Sequence, residues 1–188
     1  MRTPPAEPAT PAPRPAQSWS SGHTDLVRAA QAGDRDAYGQ LYERFARTVQ
    51  SVLLARLPRT QVDDLVQDVF LHAMTRIAEL RDPAAFGGWI CTLARRQAID
   101  HYRSQPAEAP LVEHTASSAS PEVAAEAAAA VAAIQDLPEA YRETLALRLV
   151  GGLSGPEIAA ATGLTPESVR VNLHRGFRLL RSRLGVTS

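Results

Sequence analysis

Residues 153–184 read LSGPEIAAATGLTPESVRVNLHRGFRLLRSRL, and the fold is decided there. Ser154 stands where a helix N-cap belongs, and Glu157-Ile158-Ala159-Ala160 continues as a short helix. Gly163 punctuates it, since a tight turn between helices needs a backbone conformation that glycine adopts without steric cost. Thr165-Pro166-Glu167 then opens a second helix. Small Ala159 lets the two helices cross closely, Gly163 four residues on supplies the turn, and Val169, six further, packs the second helix onto the first. This spacing predicts a helix-turn-helix.

Projected at 100° per residue, Val169, Leu173, Phe177, Leu180 and Leu184 of the second helix form one apolar stripe. Arg170, Val171, His174, Arg175 and Arg178 lie around the remaining surface, which suits the major groove of DNA. There the first residues of such a helix reach base edges, and Arg pairs with guanine O6 and N7 or grips phosphate. An Arg-rich amphipathic helix alone is an ordinary solvated face; the turn, the caps and the lack of acids together favour DNA reading. Ser168 to Ser188 holds five Arg and no Asp or Glu, inside a chain of net charge zero. Unspecific DNA affinity comes mainly from neutralised phosphates, so a neutral chain with one basic element fits a DNA reader delivered by a larger partner.

Upstream, Ser120-Pro121 has the form of an N-cap with proline at the first helical position, and Ala-rich helix follows to about Gln135. Leu137-Pro138 breaks the chain, Tyr141 to Val150 is helical again, and Gly151-Gly152 ends that helix. Residues 104–120, with Pro106, Pro110 and several Ser, read as a flexible interdomain linker. Residues 1–22 carry six prolines among Ala, Ser and Thr and read as a disordered tail with almost nothing to bury.

Between tail and linker, the apolar residues Leu26, Val27 and Ala30, then Tyr38, Leu41, Tyr42, Phe45, Val49, Val52 and Leu53 recur at helical spacing until Pro58. Asp63 and Asp64 open a helix running to about Leu80, where carboxylates favour the positive end of the macrodipole. Val66, Val69, Phe70, Ala73, Ile77 and Leu80 share its inner face, while Gln67, Asp68, Leu71, Met74 and Thr75 lie opposite. Leu71 is thus an outward apolar residue, either a scattered surface Leu or part of a docking face. Beyond Arg81-Asp82-Pro83, a third stretch carries Phe86, Trp89, Ile90, Leu93, Ala94, Ala98, Ile99 and Tyr102 at core spacing, with Arg95, Arg96, His101 and Arg103 among them. Gly87-Gly88 weakens its front by roughly 1 kcal/mol per Gly relative to Ala, so a frayed or kinked start is expected.

Composition sets the outer limits. Of 188 residues, 45% are hydrophobic and 21% charged, enough for two modest packed domains. All twenty basic side chains are Arg, a bias that also covers positions with no evident role. Cys91 is the only cysteine, so no intramolecular disulfide or thiolate cluster forms within one chain, and a reducing, cytoplasmic setting is expected. No apolar run approaches the roughly 18 residues of a membrane span. His23, His72, His101, His114 and Cys91 show no ligand or nucleophile spacing, and no Gly-rich phosphate loop is present, so neither metal, cofactor nor catalysis is expected.

Together these stretches resemble the extracytoplasmic-function (ECF) branch of the sigma-70 family. Asp63 to Phe70 is similar to the region-two helix that docks on RNA polymerase. Phe86-Gly87-Gly88-Trp89-Ile90 through Ala94 to Arg103 is similar to the segment that reads the minus-ten element. Leu137-Pro138-Glu139-Ala140-Tyr141-Arg142 with the helix-turn-helix resembles region four. Gly87-Gly88 is looser than the family usually shows before its tryptophan, and Asn172 stands where a basic residue is frequent.

The resemblance implies an all-α protein of two small helical domains, region two over 23–103 and region four over 121–188. It implies polymerase contact through Gln67, Asp68, Leu71 and Thr75, and capture of an unstacked minus-ten base near Arg81 and Asp82. Arg95, Arg96, His101 and Arg103 would hold DNA backbone there, with Trp89 structural. Arg170, Val171, His174 and Arg175 would meet minus-thirty-five base edges, and Thr165, Ser168 and Arg178 phosphates. Core RNA polymerase and promoter DNA are then the partners, with an anti-sigma factor as a third. Two other readings use the same residues: a stand-alone helix-turn-helix regulator that binds DNA by itself, and a helical adaptor that touches no DNA.

Overall fold

The computed structural model describes residues 22–104 and 121–185. The expected linker from 105 to 120, and the expected tail apart from Gly22, lie outside the described residues. Those described form eight α-helices and no strand: α1 (His23–Gln31), α2 (Arg35–Leu54), α3 (Val62–Arg76), α4 (Phe86–Ser104), α5 (Pro121–Gln135), α6 (Glu139–Leu149), α7 (Gly155–Thr162) and α8 (Pro166–Arg183).

The first periodic run is two helices. Gly33 takes φ 95°, a left-handed conformation open to glycine, and turns the chain after α1. Asp34 then caps α2, its Oδ1 accepting from the backbone N–H of Asp36 at 2.9 Å and of Ala37 at 3.0 Å. α3 also differs from expectation, ending at Arg76 and tightening into a single 3-10 turn over Ile77–Glu79. Gln31 braces the place where it stops: Nε2 donates to the carbonyl of Ile77 at 2.9 Å, which also accepts from Leu80 N–H, and to that of Leu80 at 2.8 Å.

The expected fraying of α4 is absent. Asp82 Oδ1 accepts from Ala84 N–H at 3.0 Å and Pro83 starts one 3-10 turn, so the chain enters α4 already wound. Phe86, the first residue of α4, is fully buried with its ring edge-on to Phe45 at 5.0 Å. Phe45 in turn meets His23 at 5.7 Å, and Tyr38 and Tyr42 flank Phe70, giving the front bundle an aromatic centre among Leu41, Leu53 and Ile90. Burying one such ring stabilises by about 1.5–3 kcal/mol, enough to offset the roughly 2 kcal/mol that the glycine pair costs. Trp89 is half-buried against Phe86 at 5.7 Å, a packing role. Burial along α4 ends at Ala98, so Ile99 and Tyr102, placed in the core stripe by their spacing, face solvent instead.

In the rear half, Ile134, Leu137, Leu145 and Leu180 make a small core beside Tyr141 and Phe177. Leu184, expected to close the α8 stripe, follows the helix as its C-cap and is exposed. Gly176 lies inside α8 because Leu145 comes close: a Cβ there would sit 2.8 Å from its Cδ1. The two halves touch. α7 lies on α4 and α6 on α2, and Leu147, Ile158, Ala161 and Val169 join the buried cluster of the front bundle.

Candidate nucleic-acid interface and partner face

The helix-turn-helix forms as its residues dictate. Glu157 Oε2 accepts from Ser154 N–H at 2.7 Å and from Ser154 Oγ at 2.6 Å, fixing the start of α7. Gly163 turns the chain at φ 74°, and Thr165 Oγ1 accepts from Ser168 N–H at 3.1 Å to start α8. Val169 is fully buried, as the spacing requires. On the opposite side Arg170, Val171, His174, Arg175 and Arg178 are exposed, a continuous basic face. Arg170 meets Glu167 at 3.0 Å, with both side chains more than three-quarters exposed. Such a pair contributes at most about 1 kcal/mol and yields readily to phosphate or guanine. Thr165 and Ser168, placed at phosphates by the resemblance, share a hydroxyl bond of 2.8 Å and form the cap, exposed except that Ser168 is half-covered.

Asn172 has a structural task, its Nδ2 donating to the Ala140 carbonyl at 3.1 Å and tying α8 to α6.

The second cationic surface is split. Arg96 and Arg103 on α4 are exposed, as are Arg81 and Asp82 in the preceding loop. His101 is half-buried, with Nε2 3.2 Å from Gln61 Oε1. Arg95 faces elsewhere: Nε donates to Glu143 Oε1 at 2.8 Å and a terminal nitrogen to the Ala161 carbonyl, so the rear half holds it. The resemblance did not point to Ile99, 46% exposed, and Tyr102, 76% exposed. An exposed aromatic beside Arg103 is a platform on which an unstacked base can lie. Their helical spacing disguised them as core.

The third surface is the outer side of α3, where Gln67, Asp68, Leu71, Met74 and Thr75 all face solvent. Leu71 is 59% exposed and Met74 49%. Leu71 and Gln67 border an apolar hollow of about 310 Å³ floored by Tyr38, Tyr42 and Phe70. A cleft of mixed lining, about 260 Å³, adjoins it, with Arg47, Gln50 and Asp63 beside Ala46 and Val66 in its walls. Of these neighbours the sequence pattern marks Tyr42 merely as a core residue, because the cleft is lined jointly by α2 and α3.

Burial pushes the Cys91 thiol up to about 12, which keeps it neutral and a poor nucleophile. Burial likewise pushes the Tyr38 phenol up to about 12, and its hydroxyl donates to the Phe70 carbonyl. Among the described residues no group of three or more His, Cys, Asp or Glu is placed to hold a metal, and no helix is long and apolar enough to cross a membrane.

An α-helical front bundle with an exposed apolar face, followed by a DNA-reading helix-turn-helix, defines the sigma-70 class of transcription initiation factor. The models of Sigma-70 region 2 and Sigma-70, region 4 match residues 41–107 and 127–180. SigD of Mycobacterium tuberculosis, an ECF RNA polymerase sigma factor, is 33% identical over 175 residues, covering 85% of this chain and 82% of SigD. BldN of Streptomyces coelicolor, another, is 31% identical over 179 residues, covering 88% of this chain and 67% of BldN. CnrH, solved in complex with the cytosolic domain of CnrY, superposes with a TM-score of 0.66 at 27% identity, covering 88% of this chain and 99% of that one. The chain belongs to the ECF RNA polymerase sigma factors of the sigma-70 family.

Proposed function

We propose that this chain binds core RNA polymerase through Gln67, Asp68, Leu71 and Thr75 and directs it to start at particular promoters. The observation that carries the reading is the solvent-facing Leu71 beside an apolar hollow, in the same chain as an exposed recognition helix. The second reads DNA, and the first calls for a protein partner. In this division, residues 23–103 grip polymerase and the minus-ten region, and residues 121–188 read the minus-thirty-five duplex.

At minus ten, Arg81 and Asp82 border the site of an unstacked base, while Tyr102 and Ile99, near the far end of α4, offer a separate surface on which opened strand can lie. Arg96, Arg103, His101 and, once released from Glu143, Arg95 follow the backbone. At minus thirty-five, Arg170, Val171, His174 and Arg175 meet base edges while Thr165, Ser168 and Arg178 meet phosphates. The factor acts in the cytoplasm, where polymerase is, and contributes no catalytic group, because polymerase performs the chemistry. An anti-sigma factor is the third partner in this reading, and the similar CnrH was itself solved in complex with another protein, the cytosolic domain of CnrY.

The test is transcription by purified core polymerase on a genomic fragment library, with and without this chain, reading the 5′ ends. Defined new start sites are expected, and Leu71→Glu should abolish them by preventing association while leaving the fold intact. Tight sequence-specific binding to bare duplex without core enzyme, and no gain in start sites with it, would establish the regulator instead.

A further inference from the structure

Between Ile77 and Phe86 no side chain is buried. Residues 78–85, with Arg81 and Asp82 at their centre, therefore have no apolar anchor of their own, and such a stretch is loose unless polar bonds hold it. Helix α1 supplies those bonds from both of its ends. Gln31, its last residue, donates from Nε2 to the Ile77 carbonyl at 2.9 Å and the Leu80 carbonyl at 2.8 Å. His23, its first, donates from Nε2 to the Ala84 carbonyl at 3.3 Å, since a ring nitrogen that meets a carbonyl can bond to it only as the N–H. The two side chains start about 12 Å apart along the helix, at 1.5 Å per residue. The stretch is thus fixed at two points, one on each side of Arg81 and Asp82. Ala84 carries the fix onward, because its own N–H donates to Asp82 Oδ1 at 3.0 Å.

These bonds exceed what packing asks for. The Ile77 carbonyl already accepts from Leu80 N–H at 3.1 Å, so Gln31 adds a second bond to a group that has one. His23 is 3% exposed, with its ring edge-on to Phe45 at 5.7 Å, a place that suits an apolar ring. Its Nδ1 is buried with no hydrogen-bond partner, a cost that Phe would avoid. What imidazole adds over Phe is the bond from Nε2 to Ala84.

We propose that α1 is a splint for the minus-ten loop, with His23 and Gln31 as positioning residues that hold Arg81 and Asp82 in one arrangement and so sharpen the choice among unstacked bases. This deepens the proposed function and rests on its assignment of Arg81 and Asp82. Discrimination needs fixed geometry, because a loop that rearranges around the wrong base forfeits the misfit that rejects it.

The experiment uses the full chain assembled with core polymerase, and three variants. Gln31→Met and His23→Phe keep length and bulk and remove the donors, while His23→Gln puts an amide N–H in place of the ring N–H. Circular dichroism should show the same helix content in all. The probe is single-stranded DNA of randomised sequence, captured by the holoenzyme and sequenced. The parent should show a strong preference at one position, that of the captured base. Gln31→Met and His23→Phe should flatten this preference on the order of tenfold, leave other positions as they are, and bind core as the parent does. His23→Gln should recover most of it. Amide hydrogen exchange in the isolated chain gives a second reading. Ala84 and Ala85 N–H in His23→Phe, and Leu80 N–H in Gln31→Met, should exchange on the order of tenfold faster while α2 keeps its protection. Unchanged preference in both donor-less variants would overturn the positioning role, and so would a uniform loss at every position, which is what a merely structural defect gives. Unchanged exchange at these amides would overturn the splint itself. A parent that selects no base, or does not associate with core, would instead refute the proposed function, and exchange would still decide the splint.

Discussion

Helices α4 and α8 are near equals in length, at 19 and 18 residues, and both are rich in Arg. Each also keeps a glycine where another group comes within reach, Gly88 under the Ala160 carbonyl and Gly176 against Leu145. They part in what the glycine serves. Gly176 closes α8 onto α6 inside one half, leaving the Arg face of α8 to solvent. Gly88 closes α4 onto α7 of the other half, and the Arg95 side chain is carried into that contact. Two similar amphipathic helices therefore differ in availability to DNA: α8 offers its whole Arg face, while α4 offers Arg96 and Arg103 and keeps Arg95 in the contact. The difference lies in what packs on them and not in their own residues.

The comparison breaks first at α8. Replacing Arg170, Arg175 and Arg178 together by Gln should cut promoter-specific initiation on the order of 100-fold or more, since each good base contact is worth about 1–3 kcal/mol. Core association should be unchanged, because the polymerase face is on α3. Run-off transcription beside a binding assay checks both, and loss of core association would show that α8 is not primarily a DNA reader.

The same operation on α4 should give a smaller loss. Arg96→Gln with Arg103→Gln removes two exposed cations while Arg95 stays with Glu143, and about a tenfold fall in open-complex formation is expected from two backbone contacts. Permanganate footprinting of the opened strands reads it, and the deficit should lessen on a template already melted. An equal deficit on the melted template would move these Arg from strand opening to single-strand retention.

The contrast also marks what a sequence carries. The turn at Gly163, the cap at Thr165, the burial of Val169 and the outward face of α3 were all legible, because each follows from spacing within one or two turns of helix. The break at Gly33, read through as part of one periodic run, was in principle legible too, from Gly33-Asp34 as stop and cap. What could not be read joins distant residues. Gln31 reaches carbonyls 46 and 49 positions away and Gln135 carbonyls 81 and 78 away, and neither glutamine carries any local mark. Arg95 sits 48 positions from Glu143, so its role as an interhelical tie was invisible while its charge suggested DNA. Ile99 and Tyr102 failed for a related reason: periodicity assigns a face, but where burial stops along a helix depends on the length of its neighbours.

A stability measurement sharpens the glycine half of the comparison. Gly176→Ala should gain about 1 kcal/mol of helix propensity and lose about 1–3 kcal/mol to overpacking against Leu145, leaving α8 net destabilised by about 1 kcal/mol. The midpoint of urea unfolding reports it, with the slope unchanged. A net gain would mean that Leu145 has room to move and that the rear core is looser than its packing indicates.

The smallest expected effect divides two jobs at one residue. Thr165 caps α8 through its hydroxyl, and the proposed function also sets that hydroxyl at a phosphate. Thr165→Val removes both and should cost about 1 kcal/mol of stability, the usual worth of an N-cap. Thr165→Asp keeps a capping oxygen and adds a negative charge that the positive helix end favours, so stability should hold within about 0.5 kcal/mol. Toward DNA the same carboxylate faces phosphate and repels it. The two variants thus part on stability, one losing it and one keeping it, and move together on promoter affinity, which should weaken several-fold in each once assembled with core polymerase. If Thr165→Asp binds promoter as well as the parent, the hydroxyl is a cap alone, and the phosphate grip at the start of α8 passes to Ser168 and Arg178.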